Sequence, residues 1–138
     1  MKSLRRNMMA FALAALLTAC SVPPPPKACP GGKPMIQTQI YFGLSKQKGN
    51  VSPREWQGFV EREIAPRFPE GFTIVDGRGF WLSQAENHTI SENSKVVIRL
   101  HDVGDGQEKA IADIIENYKK AFAQEAVLRV DMPVCAAF

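Results

Sequence analysis

The feature that most constrains this chain is the order in which its hydrophobic period changes after Pro34. It reads two, then 3.6, then two and two again, then 3.6, then two, within about a hundred residues. Ile36, Thr38, Ile40, Phe42 and Leu44 alternate with Gln37, Gln39, Tyr41 and Gly43, which predicts a half-buried strand. Ser52-Pro53-Arg54-Glu55 then reads as a helix start: a capping serine, a proline whose missing N–H is not needed, and a glutamate three residues on to close a capping box. Trp56, Phe59, Val60 and Ile64 follow at helical spacing, with Glu63 the polar exception. Pro66 and Pro69 limit the helix to about twelve residues.

Phe72, Ile74 and Val75 open a second strand that Gly77 and Gly79 interrupt, predicting a bulge or bend before Phe80, Trp81 and Leu82 resume it. Residues 85–88 read as a hairpin tip and residues 95–101 as a third strand. Asp105, with Glu108 as box partner, is expected to cap a second helix striped by Ala110, Ile111, Ile114, Ile115, Tyr118 and Phe122. Residues 127–134 supply a fourth strand. Strand, helix, strand, strand, helix, strand is a pair of split βαβ units. The expected fold is therefore α+β: a ferredoxin-like βαββαβ sandwich, a four-stranded antiparallel sheet in the order 4-1-3-2 with two helices on one face.

The segment before Pro34 is an address. Lys2, Arg5 and Arg6 precede an apolar run over 8–17, far short of the about 20 residues of a spanning helix, so residues 1–19 read as a signal peptide. Leu17-Thr18-Ala19-Cys20 looks like a bacterial lipobox, making Cys20 the expected lipidation site, with palmitate-type chains each contributing about 0.8 kcal/mol per buried CH₂. Ser21, in place of an aspartate, resembles outer-membrane sorting. Residues 20–34, with Pro23 to Pro26, form a polyproline tether of about 3.1 Å per residue, and residues 35–138 form the domain. An exported domain meets an oxidising compartment, so Cys29 and Cys135 at its two ends are expected to form a structural disulfide; a redox dithiol is the alternative.

Charge excludes one large class of function. The chain carries 17 basic and 14 acidic residues, a formal net charge of +3. The three basic residues of the leader account for that excess, and a balanced domain does not suit a nucleic-acid partner. No P-loop, dinucleotide loop, catalytic triad spacing or metal-ligand spacing is present, so neither a cofactor nor a metal is expected.

Two candidate sites follow from the alternation. Placing Val96, Ile98 and Leu100 toward the helices leaves Tyr41, Arg99, His101 and Arg129 on the open sheet face, a polar surface for an anionic or polar ligand or for a second copy of the sheet. Arg67, Asp76, Arg78 and Trp81 form a second set around the proline-rich corner, where Arg67 and Asp76 are the expected ion pair. Tyr41-Phe42-Gly43, Trp56, the run from Pro66 to Gly79, Trp81, Ser94-Lys95 and the ending Val127 to Asp131 resemble the domain of unknown function 3574 family over residues 35–138. That family consists of small bacterial envelope proteins, often lipid-anchored. The resemblance implies location and architecture and brings no catalytic residues.

The expectation is a periplasm-facing, outer-membrane lipoprotein. It would be attached to the membrane by its anchor and would bind an envelope protein partner or a small polar ligand, with a homodimer open to it. The alternative is a small enzyme of the dimeric α/β-barrel type, monooxygenase- or isomerase-like, using the open sheet face.

Overall fold

The computed structural model describes residues 29–83, 87–104 and 106–138. The signal peptide, Cys20, most of the tether, residues 84–86 of the hairpin tip and Asp105 lie outside the described residues. The elements are β1 (Lys33–Gly43), α1 (Pro53–Phe59), β2 (Thr73–Ser83), β3 (His88–His101), α2 (Glu108–Phe122) and β4 (Leu128–Ala136). All strand pairs are antiparallel, and the sheet order is β2-β3-β1-β4, the sequence-predicted order read from its other edge.

The first helix begins as its sequence requires. Ser52 Oγ accepts from the Glu55 N–H, and the Glu55 carboxylate accepts from the Ser52 N–H at 2.7 Å. The Ser52 N–H, with the Lys46 ammonium at 2.9 Å and the Ser52 hydroxyl donating at 2.8 Å, holds the Glu55 carboxyl down at about 2. After Phe59 the helix widens into a π-helical turn over Val60–Ile64, so the helical run ends at Ile64. The widening keeps Phe59, Val60 and Ile64 all buried. Glu63, the polar exception on this stripe, accepts from Asn117 of α2 and pairs with Arg67 at 2.9 Å.

Both helices pack on one side of the sheet. Trp56, Phe59 and Ile64 from the first run, and Ile111, Ile114, Tyr118 and Phe122 from α2, close on Ile40, Phe42 and Val97. Tyr118 is the centre of an aromatic cluster, with ring centroids 4.7 Å from Phe42, 4.8 Å from Phe122 and 5.1 Å from Phe59. Its hydroxyl donates to the Gly43 carbonyl at 2.7 Å, which satisfies the phenol oxygen inside the cluster. Burial, with the nearby Glu92 charge, pushes the phenol well above its usual range.

Three local expectations change. β2 runs through Gly77 and Gly79 in unbroken register with β3, from Thr73 opposite Ile98 to Ser83 opposite His88, so there is no bulge. Gly77 is a close approach instead: a Cβ there would lie 2.8 Å from Ser94 Oγ. The third strand starts at His88, seven residues before its expected start, because the polar stretch Ser91–Ser94 pairs with Gly77–Phe80. The second helix starts at Glu108 behind Gln107, with no side-chain cap, and the Glu108 carboxylate binds Arg129 instead of closing a box.

Candidate functional site

The registers decide which side chains share a face. Ile40 lies opposite Val97 on β3 and opposite Arg129 on β4, and Thr38 lies opposite Arg99 and Asp131. Directly opposed residues point the same way. Val97, Arg99, His101, Arg129 and Asp131 therefore stand on the helix-covered side with Ile40, and the expectation that Arg99, His101 and Arg129 line the open face is corrected. Val97 and Arg99 are 1% and 3% exposed, and His101 is 7% exposed. Of the four residues assigned to the open face, Tyr41 alone is there, its hydroxyl donating to Gln39 at 2.5 Å.

The open face is accordingly more apolar than expected, with a polar row on β1. Val75 of β2, Val96, Ile98 and Leu100 of β3, and Leu128, Val130, Met132 and Val134 of β4 flank a central row of Gln37, Gln39 and Tyr41. None of these apolar residues belongs to the core cluster or packs against it, and no described helix covers them. Val75 is 44% and Leu128 59% exposed. Beyond them the β2–β3 hairpin leaves Phe80, Trp81 and Leu82 exposed. Apolar side chains left uncovered in rows on a sheet face mark an interaction surface.

On the helix side, the polar residues form a connected belt at the margin of the core. The Thr38 hydroxyl donates to Asp131 at 2.5 Å and lies 2.9 Å from His101 Nε2, while His101 Nδ1 lies 3.1 Å from the Asp102 carbonyl. Arg129 makes a two-pronged pair with Glu108, both bonds 2.7 Å, and its Nε reaches Asp131. That pair holds the Glu108 carboxyl below the usual range and the Arg129 guanidinium above its own. Arg99 lies 4.4 Å over the Phe68 ring, and its Nη2 donates to Glu70 at 3.0 Å. Its Nε and Nη1 are buried with no hydrogen-bond partner.

Arg99 and His101 border a groove of about 780 Å³. It wraps the end of β3 past Ile98, where pairing with β2 has stopped. Glu70, Gly71 and Phe72 form one wall, Gln107 and Lys33 others.

The second expected set does not converge. Arg67 pairs with Glu63, Asp76 with Lys95, and Arg78 donates to Ser91 at 3.0 Å while lying 5.5 Å from the Phe80 ring centroid. Trp81 is on the opposite side of β2 from Asp76 and Arg78. Cys29 and Cys135 form a disulfide with Cα atoms 5.4 Å apart, tying the approach to β1 to edge strand β4. Among the described residues no three His, Cys, Asp or Glu side chains group to hold a metal, and no helix is long and apolar enough to cross a membrane.

Sequence reasoning missed Thr38, Glu70 and Glu108, and the apolar row of β4 as open surface. Closing the hairpin at Ser83 and His88 sets Ile74 opposite Val97 and Val75 opposite Val96, an apolar pair on each side, so the register alone carries no signal for the facing.

The fold and its surfaces define a small α+β domain with an antiparallel four-stranded sheet, covered by helices on one side and, among the described residues, by no helix on the other. The profile of the protein of unknown function family DUF3574 matches residues 37–138, and the chain belongs to that family. No curated protein is detectably similar in sequence. Among solved structures the chain is similar to a phage SAM lyase in complex with S-methyl-5'-thioadenosine, at 19% identity and a TM-score of 0.54, covering 75% of this chain and 81% of that one. It is likewise similar to the phage SAM lyase in its apo state, at 19% identity and a TM-score of 0.55, covering 77% and 86%. At that identity the likeness concerns the fold alone.

Proposed function

We propose that this protein is a lipid-anchored binding module of the bacterial envelope. It is attached through Cys20 to the periplasmic face of the outer membrane, is lifted off the lipid by the 20–34 tether, and docks a protein partner on its open sheet face. The body over residues 35–138 is read as a ferredoxin-like sandwich. The observation that carries the reading is the row of apolar residues Val96, Ile98, Val130 and Met132 around Tyr41, which no described helix covers. Apolar rows on both sides of Gln37, Gln39 and Tyr41 suit a protein surface, which combines apolar contact with a few polar groups, better than the small polar ligand expected from sequence. The Cys29–Cys135 bond supports an oxidising compartment.

The likeness to a phage SAM lyase favours a second reading, a small enzyme. In it, two copies close their open faces on each other and Tyr41 lines the chamber between them. Sedimentation velocity on the full chain in detergent, for the wild type and for Ile98→Arg and Val130→Arg, separates the readings. A wild-type monomer, with both variants folded and monomeric, is expected of a module awaiting a different partner. A wild-type dimer that both substitutions split would move the assignment to the enzyme reading. Failure of labelled palmitate to enter at Cys20 would remove the envelope reading altogether.

A further inference from the structure

The buried Arg99 guanidinium is incompletely used, and its surroundings say what it lacks. A guanidinium carries five N–H donors in a fixed planar fork. Here the plane rests on Phe68 and Nη2 meets Glu70, while Nε and Nη1 are sealed from water and meet no acceptor. Burying a charge with unmet donors destabilises a fold, and an apolar replacement of similar volume is often neutral or stabilising. Packing alone therefore does not explain an arginine at this position.

The groove beside it supplies a reason. It is large enough for a small metabolite. Gln107, the residue immediately before the 15-residue α2, lines it without capping the helix by its side chain, so the positive end of the helix dipole is also present at the groove. The carboxylate on Nη2 belongs to Glu70, a side chain 69% exposed, next to Gly71 with its φ of +112°. An oxyanion taking Glu70's place on Nη2 can engage Nε in the same side-on, two-pronged geometry that arginine adopts with carboxylates and phosphates. We infer that this groove is a binding site for a small organic oxyanion, a carboxylate or a phosphate ester, with Arg99 as its anchor and Glu70 as a displaceable stand-in. The site lies at the end of β3, where Gln37, Ile98 and Leu100 of the open face line the groove's other side.

The test is titration of the full chain in detergent with succinate and, separately, with inorganic phosphate. It is followed by the ¹⁵Nε resonance of Arg99 and by thermal melting. The wild type is expected to show a saturable Nε shift and a rise in melting temperature with one of the two anions, and which one responds decides carboxylate against phosphate. Glu70→Gln removes the competitor and is expected to tighten that anion about tenfold. Arg99→Met is expected to melt no lower than the wild type without ligand and to lose the response. Absence of a saturable response from both anions in the wild type and in Glu70→Gln overturns the site, as does an undiminished response in Arg99→Met. Should Arg99→Met not fold, Glu70→Gln decides alone, since it leaves the guanidinium in place.

Discussion

The facing of β3 can be tested by two adjacent valines. Val97 is 1% exposed and lies opposite Ile40 under the helices, whereas Val96 lies opposite Tyr41 on the bare side. Val97→Ala removes two buried methyl groups, worth about 1.6 kcal/mol at about 0.8 kcal/mol each. Incomplete collapse of the space left behind adds about 1 kcal/mol, for a loss of about 2.5 kcal/mol. Val96→Ala removes the same atoms from a surface that is only half-buried and packs on no helix, so its loss is about 0.8 kcal/mol or less. Urea unfolding with the disulfide intact, at protein concentrations low enough to keep the chain monomeric, reads both values. The midpoints should separate while the slope with denaturant stays unchanged. Equal losses, or a larger loss for Val96→Ala, would refute the assignment of faces and restore the polar open surface that alternation alone suggests.

Other perturbations have defined outcomes. Tyr118→Phe should cost about 1 to 2 kcal/mol in the same assay, because the Gly43 carbonyl loses its donor while the ring cluster persists. Ser52→Ala removes the side-chain arm of the capping box and should cost about 1 kcal/mol, read as a lower urea midpoint. Cys29→Ser with Cys135→Ser opens a link between residues 106 apart, for which chain entropy gives about 4.7 kcal/mol at about a hundred residues; a loss of that order in melting experiments is expected. Glu108 has its folded pKa below the usual value of 4.5, so its stabilisation is complete above that value and is lost as pH falls through the folded value. Glu108→Gln should accordingly lower stability at neutral pH by a few tenths of a kcal/mol, given the exposure of the pair, and flatten the decline of stability with acid.

Local signals in this chain are legible where residue chemistry and backbone need coincide. Ser52, Pro53 and Glu55 announce the first helix because each answers a requirement of its first turn. The succession of periods reproduces the strand order, since short connections leave few topologies for two split βαβ units. Facing is the part that local sequence does not carry. On β3 the more hydrophobic row, Val96, Ile98 and Leu100, turns outward, and the row of Val97, Arg99 and His101 turns in. Burial of Arg99 and His101 is supported by partners distant in sequence: Phe68 and Glu70 for one, Thr38 for the other. An alternating strand with apolar residues on both faces gives no reason to foresee those partners. The same holds for β4, where Arg129 turns inward to meet Glu108 from the first turn of α2. Gly77 shows the converse error. A glycine inside a strand signals either a bulge or a close approach, and the neighbouring Ser94 side chain, on the partner strand, decides for the second.

That the bare sheet face is a docking surface is tested most directly by site-specific photo-crosslinking in intact cells. The photoreactive residue is placed at Ile98 on the open face, or at Ala112 on the exposed side of α2. The account expects a discrete adduct from position 98 that is absent from position 112 and is lost when Val130→Arg is added. No adduct from position 98, or the same adduct from both positions, would contradict it.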